Sequence, residues 1–206
     1  DYDTCLAALK GANWVFHQAA LGSVPRSIDD PVTTHDINVT GTLNVLRAAR
    51  EQNVERFVFA ASSSSYGDTP VLPKVETMAP NPMSPYAASK TACEHYCAAF
   101  TQVYGLPTVC LRYFNIFGPR QRPDGPYAAV IPIFFDRLSR GEQVTIFGDG
   151  GQTRDFTYVA NAVRANLLAA EASEPAWGQV INCATGVRVS LNELYAVIAR
   201  ELGSEM

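Results

Sequence analysis

Short apolar runs alternate along this chain with longer segments in which apolar residues recur at helical spacing. The apolar runs predict strands at 14–20, 57–61, 107–113, 143–147 and 180–183. The helical segments end near Gly11 or cover about 36–50, 86–104, 128–140, 159–170 and 190–202. Strands that alternate with helices are typical of an α/β fold with a mostly parallel sheet.

Local signals support the bounds of two helices. Pro82 and Pro85 mark a loop that ends where the helix at Tyr86 begins, because proline fits the first turn of a helix but not its interior. Gly105 predicts the end of the same helix. The segment 190–193 reads Ser-Leu-Asn-Glu, which has the form of a capping box and predicts a helix start there.

The composition is that of a folded globular protein with a small-molecule partner. The 206 residues are 47% hydrophobic and 17% charged, enough for one large domain or for one domain with a small appendage. The net charge of −4 and the absence of Lys/Arg runs do not favour a nucleic acid or a membrane surface as partner. No apolar run reaches the ~20 residues of a membrane span, and the chain does not open like a signal peptide, which favours the cytoplasm.

The cysteines do not indicate a metal site. Their number is odd, and they lack the paired spacing and nearby histidines of metal ligands. We expect reduced, mostly buried thiols and no bound metal. The residues are Cys5, Cys93, Cys97, Cys110 and Cys183.

A serine run and a Tyr-x-x-x-Lys pair carry the candidate chemistry. The run 62–65 follows the apolar segment 57–61, whereas Tyr86 and Lys90 lie four apart at the start of a predicted helix and therefore share a face. A tyrosine with a pKa of about 10 acts as a base near neutral pH only with electrostatic help, which a neighbouring ammonium supplies. The pair alone could arise by chance; with the strand and the serines it predicts a proton relay.

With these features, the chain resembles the extended short-chain dehydrogenase/reductase family, and within it the NAD-dependent nucleotide-sugar epimerases. The likeness is closest to UDP-N-acetylglucosamine and UDP-glucose 4-epimerases, and it covers essentially all 206 residues. Besides the relay, the matching motifs are 17–20 (His-Gln-Ala-Ala), 23–27 (Ser-Val-Pro-Arg-Ser), 38–42 (Asn-Val-Thr-Gly-Thr), 84–86 (Ser-Pro-Tyr), 112–115 (Arg-Tyr-Phe-Asn) and 148–156 (Gly-Asp-Gly-Gly-Gln-Thr-Arg-Asp-Phe).

The resemblance implies a Rossmann-like, doubly wound parallel sheet with a smaller α/β substrate-binding region. It assigns 1–117 to a partial NAD-binding domain, to which a strand near 178–184 returns, and 118–206 to a partial substrate-binding region. Family members begin with a strand and a glycine-rich turn for the cofactor pyrophosphate. No such turn occurs here. We therefore expect an internal fragment, truncated also at the C-terminus, that alone binds NAD poorly and is inactive.

The resemblance also implies roles for the relay. Tyr86 would take the proton of the sugar 4-hydroxyl while NAD receives the hydride, giving a transient 4-keto sugar. Lys90 would lower the pKa of Tyr86 and hold the nicotinamide ribose, and Ser62 would hydrogen-bond the reacting oxygen. Ser64 would be a second contact to the sugar. For Ser63 and Ser65 a solvated turn is at least as good a reading.

Further contacts follow from the same resemblance. Those to NAD, besides the relay, are Gln18, Ala19, Ala20, Leu21, Tyr113 and Phe114. Those to the UDP-sugar are Ser23, Ser64, Asn115, Ala129, Val130, Thr145, Phe147 and Arg154. Asn38 would tie adjacent loops together, although an ordinary surface asparagine fits nearly as well. Ala19 and Ala20 could instead serve tight packing, Ala129 and Val130 could be core, and Arg154 could be a surface arginine.

The function implied is NAD-dependent 4-epimerisation of a UDP-hexose in polysaccharide biosynthesis, with UDP-N-acetylglucosamine ahead of UDP-glucose. UDP-glucuronate 4-epimerase is a close alternative. Dehydratases and decarboxylases of the family carry an acidic residue within the serine segment, and here none precedes Asp68, which favours epimerisation. A non-catalytic NAD-binding module is a third reading. The resemblance also implies a homodimer formed through the helices at 36–50 and 86–104.

Overall fold

The computed structural model describes residues 1–124 and 128–203. Contacts divide the chain into two compact units. The first consists of Asp1–Tyr113 and Asn161–Cys183, and the second takes the rest of the described chain. Within the described ranges, no helix is both long and apolar enough to cross a membrane.

The strands and helices mostly follow the apolar pattern. The strands are β1 (Trp14–His17), β2 (Arg56–Ser62), β3 (Thr108–Tyr113), β4 (Ile116–Phe117), β5 (Thr153–Arg154), β6 (Thr157–Tyr158), β7 (Gln179–Cys183) and β8 (Val189–Ser190). The α-helices are α1 (Tyr2–Ala8), α2 (Val24–Asp29), α3 (Pro31–His35), α4 (Gly41–Glu51), α5 (Pro85–Tyr104), α6 (Val130–Ser139), α7 (Val159–Glu171) and α8 (Leu191–Leu202). A π-helical turn covers Asp36–Thr40, and 3₁₀ turns cover Ser63–Tyr66 and Glu174–Ala176.

The first unit contains a four-stranded sheet in the order β1-β2-β3-β7, with every neighbouring pair parallel. The predicted parallel α/β fold is therefore confirmed. Five consecutive residues of β2, from Phe57 to Ala61, are buried, as expected for a strand covered on both faces. Because the strands are parallel, their carboxyl ends lie at the same edge of the sheet, where ligands bind in folds of this kind.

Helices cover both faces of this sheet. On one face, Phe57 and Phe59 pack in a cluster with the α5 residues Cys93, Cys97 and Phe100. On the other face, Val58, Val109 and Leu111 pack in a cluster with Ala169 and Ala170 of α7. Alternate residues of β2 thus enter opposite layers of the core, which is the doubly wound arrangement that the resemblance implied.

The second unit has short strands and two packed helices. Here β4 pairs in parallel with β6, and β5 pairs antiparallel with β8. Helix α6 packs on α8, with the rings of Phe134 and Tyr195 edge to face at 6.3 Å. The predicted capping box is confirmed, since the Ser190 hydroxyl accepts from the Glu193 amide and the Glu193 carboxylate accepts from the Ser190 amide.

Some predicted elements differ from the structure. The strand predicted at 143–147 is wrong: among residues 1–124 and 128–203 this segment pairs with no strand, and it is mostly exposed, because apolar residues alone do not make a strand without a partner. The helix predicted from Asp36 is preceded by α2 and α3, where the polar sequence had not predicted a helix. Each has a proline in its first turn after a capping side chain: Pro25 after Ser23 in α2, and Pro31 after Asp30 in α3.

The contact boundary lies at Tyr113, before the 1–117 limit assigned to the NAD-binding domain. Most of α7 and all of β7 belong to the first unit because β7 pairs with β3. The functional assignment of 1–117 and 118–206 stays a prediction, and residues 125–127 and 204–206 of the second range lie outside the described part of the chain.

The five cysteines are free thiols, and all except the half-buried Cys5 are buried, as expected.

A buried histidine ends β1. The His17 ring is 9% exposed and lies 5.9 and 5.8 Å from the rings of Phe57 and Phe59, measured between centroids. Its Nε2 is 2.9 Å from the Thr42 hydroxyl, which itself donates to the Asn38 carbonyl, so the neutral ring donates through Nε2. Burial, aided by the positive charge of Lys90, lowers the pKa of His17 from 6.5 to about 4.

Stability should therefore decrease as the pH is lowered from 6.5 to about 4, because in this range the unfolded chain binds a proton that the folded chain does not. The loss from this one group is at most roughly 3 kcal/mol. We expect His17→Gln to flatten the pH dependence of the free energy of unfolding, measured with urea between about pH 7.5 and about pH 5. The exposed His95→Gln is the control, and equal slopes in both variants would contradict the assignment.

Candidate functional site

The serine run lies at the carboxyl edge of the first unit's sheet. Strand β2 ends at Ser62, and its hydroxyl accepts hydrogen bonds from the Ser64 amide at 3.2 Å and the Ser64 hydroxyl at 2.8 Å. Ser62 thus caps the 3₁₀ turn that follows it. The structure brings together the two serines that were assigned to the sugar.

The rest of the run is not a solvated turn. Ser65 is fully buried, with its Oγ 3.0 Å from the Thr91 hydroxyl and 3.5 Å from a Glu94 carboxylate oxygen. Ser63 is half-buried. The solvated-turn alternative is therefore wrong for Ser65, because α5 supplies polar partners that the local sequence could not reveal.

Helix α5 presents the tyrosine and the lysine. The Ser84 side chain accepts from the Ala87 amide at 3.1 Å, and Pro85 begins the helix, so Tyr86 lies in its first turn. Lys90, one turn later, is 4% exposed. Its ammonium donates to the Ala60 carbonyl at 2.7 Å and lies 4.9 Å from the centre of the Phe59 ring. Lys90 therefore joins α5 to the end of β2.

Burial controls the proton affinities of this pair. It lowers the pKa of Lys90 from 10.5 to about 8. It raises the pKa of Tyr86, and the hydrogen bond between Tyr86 and Ser62 offsets only part of that rise. The resemblance implied that Lys90 lowers the pKa of Tyr86, whereas the net shift of this pKa is upward. Burial is the largest cause, so the phenol retains its proton near neutral pH in this arrangement.

The loop after β1 is fixed by Asn38. Its side-chain oxygen accepts from the Leu21 amide at 2.7 Å, and its nitrogen donates to the Leu21 carbonyl at 3.2 Å and to the Ser89 hydroxyl at 3.0 Å. Asn38 is 2% exposed, so the reading of an ordinary surface asparagine is wrong. One buried amide ties this loop to the residue that precedes Lys90.

The remaining residues of this loop stay accessible. Gln18 and Ala19 are exposed and Ala20 is half-buried, which does not favour the alternative that the alanines are needed for tight packing. Ser23 accepts from the Arg26 amide at 3.2 Å and has a φ of 142°. Non-glycine residues rarely adopt this conformation, and such strain is more frequent at functional sites.

The donor set of the first unit fits the ribose of a dinucleotide. An ammonium has three N–H donors, and in the described part of the chain the Lys90 ammonium makes one hydrogen bond, to Ala60. Buried donors that remain free favour a hydroxyl-rich ligand. Lys90 and Tyr86 would hold the ribose, and Gln18 and Tyr113 stand at the ends of the flanking strands. A hydride acceptor bound there would supply redox chemistry that no side chain provides.

The second unit has its own cavity of about 280 Å³. Its wall is mostly apolar, with two amides and one guanidinium, which is typical of a small-molecule site. The lining residues are Asn115, Ile116, Phe117, Ala129, Val130, Ile131, Gln152, Arg154, Phe156 and Leu191. Four of the residues predicted to bind the UDP-sugar, Asn115, Ala129, Val130 and Arg154, are therefore brought together.

Polar residues hold the cavity wall in place. The Asn115 side chain donates to the Asp155 carbonyl at 2.8 Å, and its φ of 36° is in the left-handed region that asparagine tolerates. The Asp155 carboxylate accepts from the amides of Thr185 and Gly186. Arg154 is exposed, and it donates to the Thr153 carbonyl at 2.8 Å. The other donors of this guanidinium are available to an anion.

Three predicted contacts lie elsewhere. Thr145 is exposed and Phe147 is 80% exposed, and neither lines the cavity. Phe147 is linked to it only through its carbonyl, which accepts from Gln152 at 2.9 Å. Phe114 follows β3 directly and is half-buried, but it does not line this cavity. Their assignments stay predictions.

The family model of the NAD dependent epimerase/dehydratase family matches residues 1–184. The chain belongs to this family. It is 42% identical over 192 residues to UDP-glucose 4-epimerase from Mycolicibacterium smegmatis, an alignment that covers 92% of this chain and 60% of that protein.

Solved structures of family members are also similar. UDP-N-acetylglucosamine 4-epimerase from Methanobrevibacter ruminantium, in complex with UDP-N-acetylmuramic acid, has a TM-score of 0.93 and 41% identity, covering 98% of this chain and 64% of that one. UDP-glucose 4-epimerase from Thermus thermophilus, in complex with NAD, has a TM-score of 0.88 and 38% identity, covering 100% of this chain and 67% of that one. The chain spans about 60% of the length of curated relatives such as the Mycolicibacterium smegmatis enzyme.

A buried ion pair that was not predicted from the sequence lies behind the serine turn. Arg112 donates through Nε and Nη2 to the two oxygens of Glu94 at 2.8 and 2.7 Å, with both side chains 3% exposed. The guanidinium also lies 4.4 Å from the centre of the Tyr66 ring. Two features of the sequence could have indicated this ion pair. An arginine lies inside the apolar run 107–113, and a glutamate lies on the same face of α5 as Lys90.

We expect Glu94→Gln to lower the free energy of unfolding by about 3–5 kcal/mol, because it leaves the Arg112 charge buried without its counterion. The measurement is the urea midpoint at constant m-value. The double variant Glu94→Leu/Arg112→Met should recover much of the loss, since it removes both charges together. The matched control Glu201→Gln breaks the exposed Arg200–Glu201 pair and should change stability by less than about 1 kcal/mol. An equal effect of the two glutamine variants would contradict the interpretation.

Proposed function

We propose that the full-length protein that contains this chain is an NAD-dependent 4-epimerase of a UDP-hexose, with UDP-N-acetylglucosamine or UDP-glucose as substrate. The observation that carries the proposal is the grouping of Ser62, Tyr86 and buried Lys90 at the carboxyl edge of a parallel sheet, in a chain of the NAD dependent epimerase/dehydratase family. The second unit supports it with a cavity whose polar groups suit a nucleotide diphosphate.

In the proposed reaction, Tyr86 removes the proton from the sugar 4-hydroxyl and returns it after the 4-keto sugar has presented its other face. Bound NAD would supply the hydride chemistry at C4 that no side chain of this chain provides. Ser62 contacts Tyr86 and is placed to share the proton. Because burial raises the pKa of Tyr86, proton removal needs a positive charge nearby, which Lys90 supplies from the next turn of α5.

The serine turn favours epimerisation over elimination. A dehydratase needs an acid or base beyond the tyrosine to expel water, and residues 62–67 contain no carboxylate. The nearest buried carboxylate behind the turn, Glu94, is paired with Arg112 through both oxygens. Release of water from the sugar nucleotide without C4 epimerisation would establish the dehydratase alternative.

The second unit is proposed to bind the UDP group. Arg154 would pair with the diphosphate, since a guanidinium matches two phosphate oxygens at once. Asn115 would donate to the same group, and Ala129 and Val130 would contact the uridine. We further propose a homodimer formed through α4 and α5. The exposed Tyr96 and Val103 of α5 supply apolar surface for it. A place in polysaccharide biosynthesis and in the cytoplasm stays a prediction of the sequence.

The first test is Tyr86→Phe in the full-length protein. We expect its turnover of UDP-N-acetylglucosamine and UDP-glucose to the C4 epimers to fall by about 10²–10⁴-fold, because the proton acceptor is lost. NAD binding should remain, which separates lost chemistry from lost folding. Tyr104→Phe at the exposed end of the same helix is the matched control. A Tyr86→Phe protein that keeps full activity would contradict the role of Tyr86 as proton acceptor, whereas a parent protein that binds NAD without any C4 epimerisation would leave the non-catalytic NAD-binding reading.

The second test is Arg154→Met. We expect the KM for the UDP-sugar to rise by about 10–100-fold, the value of a lost charge-assisted hydrogen bond to phosphate. NAD affinity should not change, and Arg200→Met, an exposed arginine of α8, should behave like the parent. An unchanged KM would mean that Arg154 is an ordinary surface arginine.

A further inference from the structure

Three polar side chains of the first unit form a closed ring of hydrogen bonds at the carboxyl edge of the sheet. The Asn166 nitrogen is 2.7 Å from the Tyr113 hydroxyl, which is 3.3 Å from the Gln18 side-chain oxygen. The Gln18 nitrogen is 3.0 Å from the Asn166 side-chain oxygen. Gln18 follows β1, Tyr113 ends β3, and Asn166 belongs to α7, so the ring joins the ends of two strands on either side of β2.

A backbone carbonyl determines the direction of every bond in this ring. The Asn166 nitrogen also donates to the Ala162 carbonyl, one turn earlier in α7, at 2.7 Å. A carbonyl can only accept, so the Asn166 amide cannot be reversed without placing its oxygen against another oxygen. Tyr113 must then accept from Asn166 and donate to Gln18. The Gln18 amide is in turn left with one orientation, its nitrogen toward Asn166.

The protonation state of Tyr113 agrees with this direction. Burial raises the pKa of Tyr113 by more than its hydrogen bonds to Asn166 and Gln18 lower it. The hydroxyl therefore keeps its proton near neutral pH and remains a donor. Each hydrogen bond of the ring therefore keeps the same donor and the same acceptor at pH values near neutral.

We propose that Asn166 is a positioning residue of the NAD site: it fixes the orientation of the Gln18 amide and the Tyr113 hydroxyl, two groups proposed to contact NAD. This inference rests on the proposed function. Asn166 itself does not have to touch the cofactor. Gln18 is exposed, so without the ring its side chain would sample many rotamers, and NAD binding would have to order it again.

The test measures NAD binding in the full-length protein by titration calorimetry, with turnover as a second readout. Asn166→Asp keeps the size of the side chain but removes its N–H donors. A carboxylate oxygen would then face the Ala162 carbonyl oxygen, which repels it, and the side chain could no longer donate to the Tyr113 hydroxyl. We expect the Kd for NAD to rise by about tenfold, as for a lost neutral hydrogen bond that leaves a partner unsatisfied. The KM for the UDP-sugar should change by less than about twofold at saturating NAD. Asn161→Asp, an exposed position of the same helix, is the matched control.

A double-mutant cycle separates positioning from a general effect on folding. If Asn166 acts through Gln18 and Tyr113, then Asn166→Leu should weaken NAD binding in the parent but should add almost nothing in a Gln18→Ala/Tyr113→Phe background. Additive losses, or an unchanged Kd for NAD in both Asn166 variants, would overturn the proposal. These results are independent of turnover, so failure of the epimerase proposal would appear in Tyr86→Phe and failure of this one in the Kd for NAD.

Discussion

The contact between the Lys90 ammonium and the Ala60 carbonyl is the constraint on which the rest of the candidate site depends. It places a positive charge inside the buried interface between α5 and the sheet, and it ties α5 to the end of β2 at 2.7 Å. Because Tyr86 lies one turn before Lys90 and Ser62 two residues beyond Ala60, this bond sets the position of all three relay residues. Burial lowers the pKa of Lys90, and the positive charge of Lys90 adds to the burial that lowers the pKa of His17.

Buried polar side chains support the edge around this contact. Glu94 and Arg112 join α5 to β3 behind the serine turn, and Asn38 joins the loop after β1 to α5. Asn166 completes the edge on the opposite face of the sheet. The hydrogen bonds of these groups run mainly to residues distant in sequence, so they form only when the whole unit is folded. The site is therefore built by the core and not by its loops alone.

The second unit shows a different balance. Its cavity has an apolar wall and few polar groups, and the wall is held by Asn115, Asp155 and the turn at 185–186. Gly148 and Gly150, both with positive φ, lie in the turn that precedes β5. A Cβ at Gly150 would lie 2.0 Å from the side-chain oxygen of Asn192. Within the motif 148–156, backbone geometry therefore favours glycine at 150, in addition to the arginine that the motif contains.

The sequence by itself determined the alternation of strands and helices, the capping of α5 and α8, and the placement of Tyr86 and Lys90 one turn apart on α5, because these depend on spacing within short segments, whereas the approach of Ser62 to them depends on the contact between α5 and β2. Motif 148–156 and the residue types at 115, 129 and 130 likewise pointed to a nucleotide site. Only the tertiary structure decided which serine is buried, the upward shift in the pKa of Tyr86, the loss of the strand predicted at 143–147, and the roles of Glu94 and Asn166. Those features arise from contacts between segments far apart in the chain, and burial, pairing and hydrogen-bond direction are properties of such contacts rather than of any local pattern.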